Sequence, residues 1–151
     1  SYAGHFNMTI DQTIDAMADP VNSTVDAGYR VFTLLGRWSD HVVSWRDTND
    51  FPLVLVRYED LLEKPVPTFG RIIKALSLPV SDERLNRAIK FSSFAELSRQ
   101  ERREGFSERP PHSARFFREG RSGSWHDTLT HAQIDRLIEA HRDVMGTLGY
   151  I

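Results

Sequence analysis

The sequence predicts an α/β fold that is mostly helical over its 151 residues, with one central parallel strand at residues 53–57. Three observations lead there. Apolar residues recur at helical spacing behind Ser or Thr caps in several separate stretches. One short run, Leu53-Val54-Leu55-Val56, is continuously apolar and follows Pro52, as expected of a parallel strand covered on both faces. A segment rich in Pro, Gly, Ser and Arg, from Glu104 to Ser124, reads as a long loop before a last helix. A parallel strand needs neighbours for its N–H and C=O groups, and apart from the β-prone stretch Tyr29 to Leu35 no second strand is offered. Most of the sheet is therefore expected to lie outside these residues.

Taken in order, the chain opens abruptly at Ser1-Tyr2-Ala3-Gly4-His5-Phe6, with no initiator Met, cap or turn. Thr9-Ile10-Asp11-Gln12 is a capping-box pattern for a helix running through Met17, and Asn22-Ser23-Thr24 reads as loop. Leu34, Leu35, Trp38, Val42 and Trp45 recur at helical spacing up to the turn cluster Asp47-Thr48-Asn49-Asp50, which puts both Trp rings in the core. Pro65 to Ser77 is a helix with Phe69, Ile72, Ile73 and Leu76 on its buried face. Ser81 caps the next helix, with Leu85, Ala88 and Ile89 inward, and Ser93-Phe94-Ala95-Glu96 is another capping box. Thr130-His131-Ala132-Gln133 opens the last helix, whose inner stripe is Ile134, Leu137, Ile138, Val144 and Met145 and which stops at Gly146.

Composition is that of an ordinary globular chain, 40% hydrophobic and 26% charged, with no cysteine for disulfides or thiolate metal sites. No apolar run reaches a membrane span and no secretion signal is visible, which fits a cytoplasmic setting. None of the six histidines forms a helical pair with a carboxylate; they read as surface or half-buried, and no metal is expected. The net charge of −2 hides an asymmetry. Residues 99–121 hold seven Arg against four Glu, a local +3, which leaves −5 for the rest. A local basic surface in an acidic chain suits a small multiply charged anion better than nucleic acid. Arg99, Arg102 and Arg103 serve equally well as members of a helix laced with surface ion pairs.

The richest stretch is Arg115-Phe116-Phe117-Arg118-Glu119-Gly120-Arg121-Ser122-Gly123-Ser124-Trp125. Its glycines let the backbone turn back and expose N–H groups, and its guanidinium groups match the geometry of phosphate oxygens. Alone, it reads as a solvated connection pinned by its Phe and Trp. Order changes that reading. It follows Arg57-Tyr58-Glu59-Asp60-Leu61 at a strand end and Ser92-Ser93-Phe94 at a helix start, and Thr130 comes soon after.

This ordered set resembles the C-terminal half of the sulfotransferases that use 3′-phosphoadenosine 5′-phosphosulfate, whose signature here is Arg-Lys-Gly, two residues, Gly-Asp-Trp. The resemblance covers Ser1 to Ile151. It implies that residues 1–151 are the C-terminal part of a single sulfotransferase domain, a P-loop-like three-layer fold whose N-terminal half is absent. By the same resemblance Ser1 falls where a Ser binds the 3′-phosphate, its partner Arg lying before the first residue, and His5 and Phe6 fall in the acceptor pocket. Tyr58 reaches the adenine, Ser92 bonds an adenine nitrogen and Phe94 stacks on the ring. Arg118, Glu119 and Gly120 take the 3′-phosphate, Gly120 through its backbone N–H, with Trp125 as anchor. Glu119 stands where Lys is usual, so its side chain should face solvent while backbone binds.

The implied reaction moves a sulfuryl group to a hydroxyl or amine of a small-molecule acceptor and leaves adenosine 3′,5′-bisphosphate, without a metal. The Gly-rich phosphosulfate turn, its Lys and the catalytic His are not found, so no catalytic residue is assigned and these residues alone are expected to be inactive. Neither nucleic acid nor membrane is an expected partner. A homodimer is allowed by the resemblance, but of its motif positions His126, Thr130, His131 and Asp135 only Thr130 is retained. The competing reading is a non-catalytic helical interaction module, or a remnant, with a basic anion-binding loop.

Overall fold

A computed structural model describes residues 2–24, 32–48, 50–110 and 113–151, the side chains of Tyr2 and His5 lying outside the description. The chain divides into two compact units, Ser1–Leu53 with Trp125–Ile151, and Val54–Ser124.

The first unit is built on its last helix. The Thr130 hydroxyl accepts from the Gln133 N–H, and the Gln133 side-chain oxygen in turn accepts from the Thr130 N–H, so the predicted box is complete. Helix α1 covers Tyr2–Phe6, and α2, Ile10–Ala18, starts from an equally complete box at Thr9. A two-residue antiparallel ribbon pairs β1, Ser23–Thr24, with β2, Thr33–Leu34; Ser23 faces Leu34 and Thr24 faces Thr33. It replaces the loop predicted over 22–24. Helix α3 then runs Trp38–Arg46, so Leu34 and Leu35 precede it rather than belonging to it, and the short α8 covers Trp125–Thr128. Helix α9, His131–Thr147, takes α2 on one side and α3 on another. Arg136 bonds Asp11 at 2.7 Å and also Asp15, while Gln133 bonds Asp11 at 3.1 Å.

The α3–α9 contact holds a buried imidazole. His141 is 2% exposed, which corrects the surface reading of this residue. Its Nδ1 lies 2.5 Å from Ser39 Oγ and its ring meets Trp38 edge to face at 5.4 Å, with Nε2 buried and unbonded. Burial pushes its pKa down, Arg37 adds to that, and Asp40 opposes it. Trp38 is half-buried as expected, but Trp45 is 51% exposed, beside Phe51 and His41.

The second unit holds α4, Tyr58–Glu63; α5, Pro65–Ala75; α6, Asp82–Phe91; and α7, Phe94–Glu104. They pack consecutively, α4 on α5, α5 on α6 and α6 on α7. Pro65 starts α5 where its missing N–H costs nothing, and Ser81 and Ser93 cap α6 and α7 by accepting from Arg84 and Glu96. Leu85 is buried, but Leu76, expected on the buried face of α5, is 61% exposed because the helix has already ended at Ala75.

The strand predicted at 53–57 is not formed. These residues carry no ladder, and Leu53, Val54 and Leu55 are 41%, 38% and 48% exposed. Local sequence supplied the apolar run; the ladder needs a neighbouring strand, and among the described residues none pairs with it. Among the described residues no helix is long and apolar enough to cross a membrane.

Candidate functional site

The decisive contact in the second unit joins Phe94 to Gly120. Gly120 has φ +61°, and a Cβ placed on it would lie 2.2 Å from Cγ and Cδ2 of the Phe94 ring and 2.7 Å from Phe94 Cβ. The first residue of α7 therefore packs directly on the main chain of the Arg-Gly loop. Two motifs far apart in the chain form one surface, an aromatic ring beside a bare backbone turn.

Around that turn the donors are open. Arg118 is exposed and has no hydrogen-bond or ion-pair partner among the described residues, and the N–H groups of Arg118, Glu119 and Gly120 likewise make no bond there. The Glu119 side chain points into solvent and pairs with Arg121 at 3.0 Å, as its departure from the usual Lys suggested. A free guanidinium, three unbonded N–H groups and an aromatic side chain are the parts needed to hold an anion carried by a planar group.

The other predicted residues are less closely joined. Tyr58 opens α4, is 52% exposed and makes no ring contact with Phe94 among the described residues; Arg57 beside it lies 3.6 Å from Glu59. Ser92 donates its hydroxyl back to Ala88 O at 2.9 Å, which leaves the oxygen free only to accept. It lines a groove of about 270 Å³ between α5 and α6, among Phe69, Ile73, Val80 and Ile89, that includes none of Tyr58, Phe94 or Gly120. Ser1 and the side chain of His5 lie outside the description, and Phe6, 38% exposed, belongs to the first unit. Trp125 is 45% exposed and stacked on His126 at 3.5 Å.

The loop is pinned elsewhere, by a residue that sequence reading counted among the surface charges. Glu101 of α7 is 9% exposed, and its two carboxylate oxygens accept the N–H groups of Phe116 at 2.6 Å and Phe117 at 3.0 Å. The Phe116 bond holds its carboxyl below the usual carboxylate range; burial opposes this, and the Phe117 bond with the fields of Arg109 and Arg115 restores it. Phe106, Phe116 and Phe117 cluster beside it with ring centroids 4.6 to 5.1 Å apart. Arg109 closes the loop on itself by donating to the carbonyls of Ser113 and Ala114. Its neighbours on α7 are surface pairs, Arg99 with Glu96 and Arg103 with Glu104, while Arg102 bonds Ser98. Those three arginines are thereby engaged along their own helix.

Comparison with known proteins gives the family. The sulfotransferase domain family matches residues 1–149, and the chain belongs to that family. It is 31% identical to sulfotransferase 1 family member D1 of Mus musculus over 109 residues, 69% of this chain and 37% of that protein. Against sulfotransferase 1A1 of Bos taurus it is 30% identical over 112 residues, 70% of this chain and 37% of that one. Cytosolic sulfotransferase 12 of Arabidopsis thaliana gives 30% over 128 residues, 80% of this chain and 39% of the relative. The matched region thus spans less than two-fifths of each of these relatives. No solved structure matches.

Proposed function

We propose that this chain forms the adenine and 3′-phosphate side of a sulfotransferase site that takes 3′-phosphoadenosine 5′-phosphosulfate as donor. The contact between Phe94 and Gly120 carries the reading, because it sets a ring suited to a purine against a turn suited to a phosphate. Arg118 and the N–H groups of residues 118–120 are the phosphate ligands. Phe94 stacks on the adenine and exposed Tyr58 completes its enclosure, while Ser92, already donating, accepts from the 6-amino group rather than giving to a ring nitrogen. By the resemblance alone Ser1 is assigned to the 3′-phosphate, and His5 and Phe6 to the acceptor, a small molecule with a hydroxyl or amine.

In the whole reaction the sulfur–oxygen bond to the leaving phosphate breaks, a new bond forms to the acceptor, and the acceptor gives up its proton. Adenosine 3′,5′-bisphosphate leaves. Nothing in this chain is assigned to the proton or to the leaving phosphate, so its contribution is binding and orientation. The Arabidopsis relative is named a cytosolic sulfotransferase, and a cytoplasmic setting belongs to the same reading.

The experiment is a titration of the chain with adenosine 3′,5′-bisphosphate and with adenosine 5′-monophosphate, followed by calorimetry. The bisphosphate should bind more tightly. Arg118→Ala should remove most of the difference, since one Arg–phosphate contact is worth about 1.5–3 kcal/mol, or roughly one to two decades in affinity. Equal binding of both nucleotides, or of neither by the folded protein, contradicts the assignment and favours a non-catalytic interaction module.

A further inference from the structure

A carboxylate taken out of water must find donors, or neutralise. Glu101 finds them in the main chain of another segment, one N–H for each oxygen, on two consecutive residues. That makes the bond a fork across the backbone, one residue before Arg118. The same helix meets the same loop again at Phe94, against Gly120. From Phe94 to Glu101 is about two helical turns, roughly 10 Å of rise. From Phe117 to Gly120 an extended chain covers at most about 10–11 Å. Two pins on one helix thus hold a short piece of loop between them, and that piece carries Arg118 and the unbonded N–H groups.

We infer that Glu101 is a positioning residue: by clasping the N–H groups of Phe116 and Phe117 it holds the 116–120 loop along α7, so that Arg118 and the N–H groups of 118–120 stay presented to a phosphate. Its effect on ligand binding rests on the nucleotide reading above; the clasp itself does not. Arg109 and Arg115 are the charged groups of the loop that face the carboxylate.

The test pairs amide hydrogen exchange with nucleotide titration, on the chain and on Glu101→Gln, which keeps the shape but sets an NH₂ group against one of the two N–H donors. In the unsubstituted chain the Phe116 and Phe117 amides should be protected. The substitution should speed their exchange tenfold or more while the amides of α9 stay as they were. It should raise the Kd for adenosine 3′,5′-bisphosphate by about tenfold and leave that for adenosine 5′-monophosphate unchanged. Unprotected Phe116 and Phe117 amides in the unsubstituted chain overturn the inference, whether or not the variant folds. So does a variant that keeps both protection and affinity, or one that weakens both nucleotides alike. An unsubstituted chain that protects these amides but does not distinguish the nucleotides leaves the clasp standing and removes the nucleotide reading.

Discussion

Gly120 is barred from carrying a side chain on two counts, and they can be measured separately. Its φ of +61° costs an L-residue about 1–2 kcal/mol, and a Cβ would also displace the Phe94 ring. Gly105, at φ +77° and ψ −178°, sits in a region that is essentially reserved for glycine and has nothing within 4 Å of a Cβ, so Gly105→Ala carries a backbone penalty of its own, about 1–3 kcal/mol, with no clash. Denaturation and titration together should show both variants less stable, with only Gly120→Ala losing nucleotide affinity beyond its loss of stability. His141 makes a second prediction at this scale. Its folded pKa lies below the unfolded value, so between the two the unfolded chain binds the extra proton. Stability is therefore full above the unfolded value of about 6.5 and declines as pH falls through it towards the folded one. Urea denaturation at stepped pH should show this decline, and His141→Gln should flatten it.

At the level of elements, the helix starts were legible and the strand was not. Thr9, Ser81, Ser93 and Thr130 cap where the pattern put them, because a cap is a bond between residues three apart and sequence contains both partners. Ser93 shows the limit of the pattern, since Glu96 turns to Arg99 and Gln100 instead of closing a box. A strand is the opposite case, for Leu53-Val54-Leu55-Val56 names no partner, and its apolar letters fit a ladder or an exposed run equally well. Glu101 was invisible for a related reason. Its partners are N–H groups, which every residue but proline has, and its neighbours made it look like one more surface charge. Within α9 the Thr130 box should count for the first unit as a whole, because α2 and α3 both lean on that helix. Thr130→Ala is expected to lower the denaturation midpoint, at a cost of about 1 kcal/mol.

For the whole molecule, the order of short motifs pointed to the contact of Phe94 with Gly120 where composition pointed only to a basic stretch. Much of the basic stretch 99–121 is engaged in short-range contacts: Arg99 and Arg103 meet carboxylates, Arg109 serves carbonyls, and Arg121 pairs with Glu119, but only the Arg99 pair draws on a carboxylate outside the stretch, so a local positive excess remains. Among the described residues the Arg118 guanidinium makes no hydrogen bond or ion pair, and that of Arg115 makes none either but lies in the field of the Glu101 carboxylate. The residues assigned by resemblance to the acceptor pocket fall in one compact unit and the nucleotide residues, Ser1 apart, in the other. The clasp of Glu101 has a consequence for how such chains diverge. Because it reads amides and not side chains, positions 116 and 117 are free to drift through nineteen of the twenty amino acids as far as this bond is concerned. Only an imino acid there would silence it, so relatives can share the fastening while spelling the fastened segment quite differently.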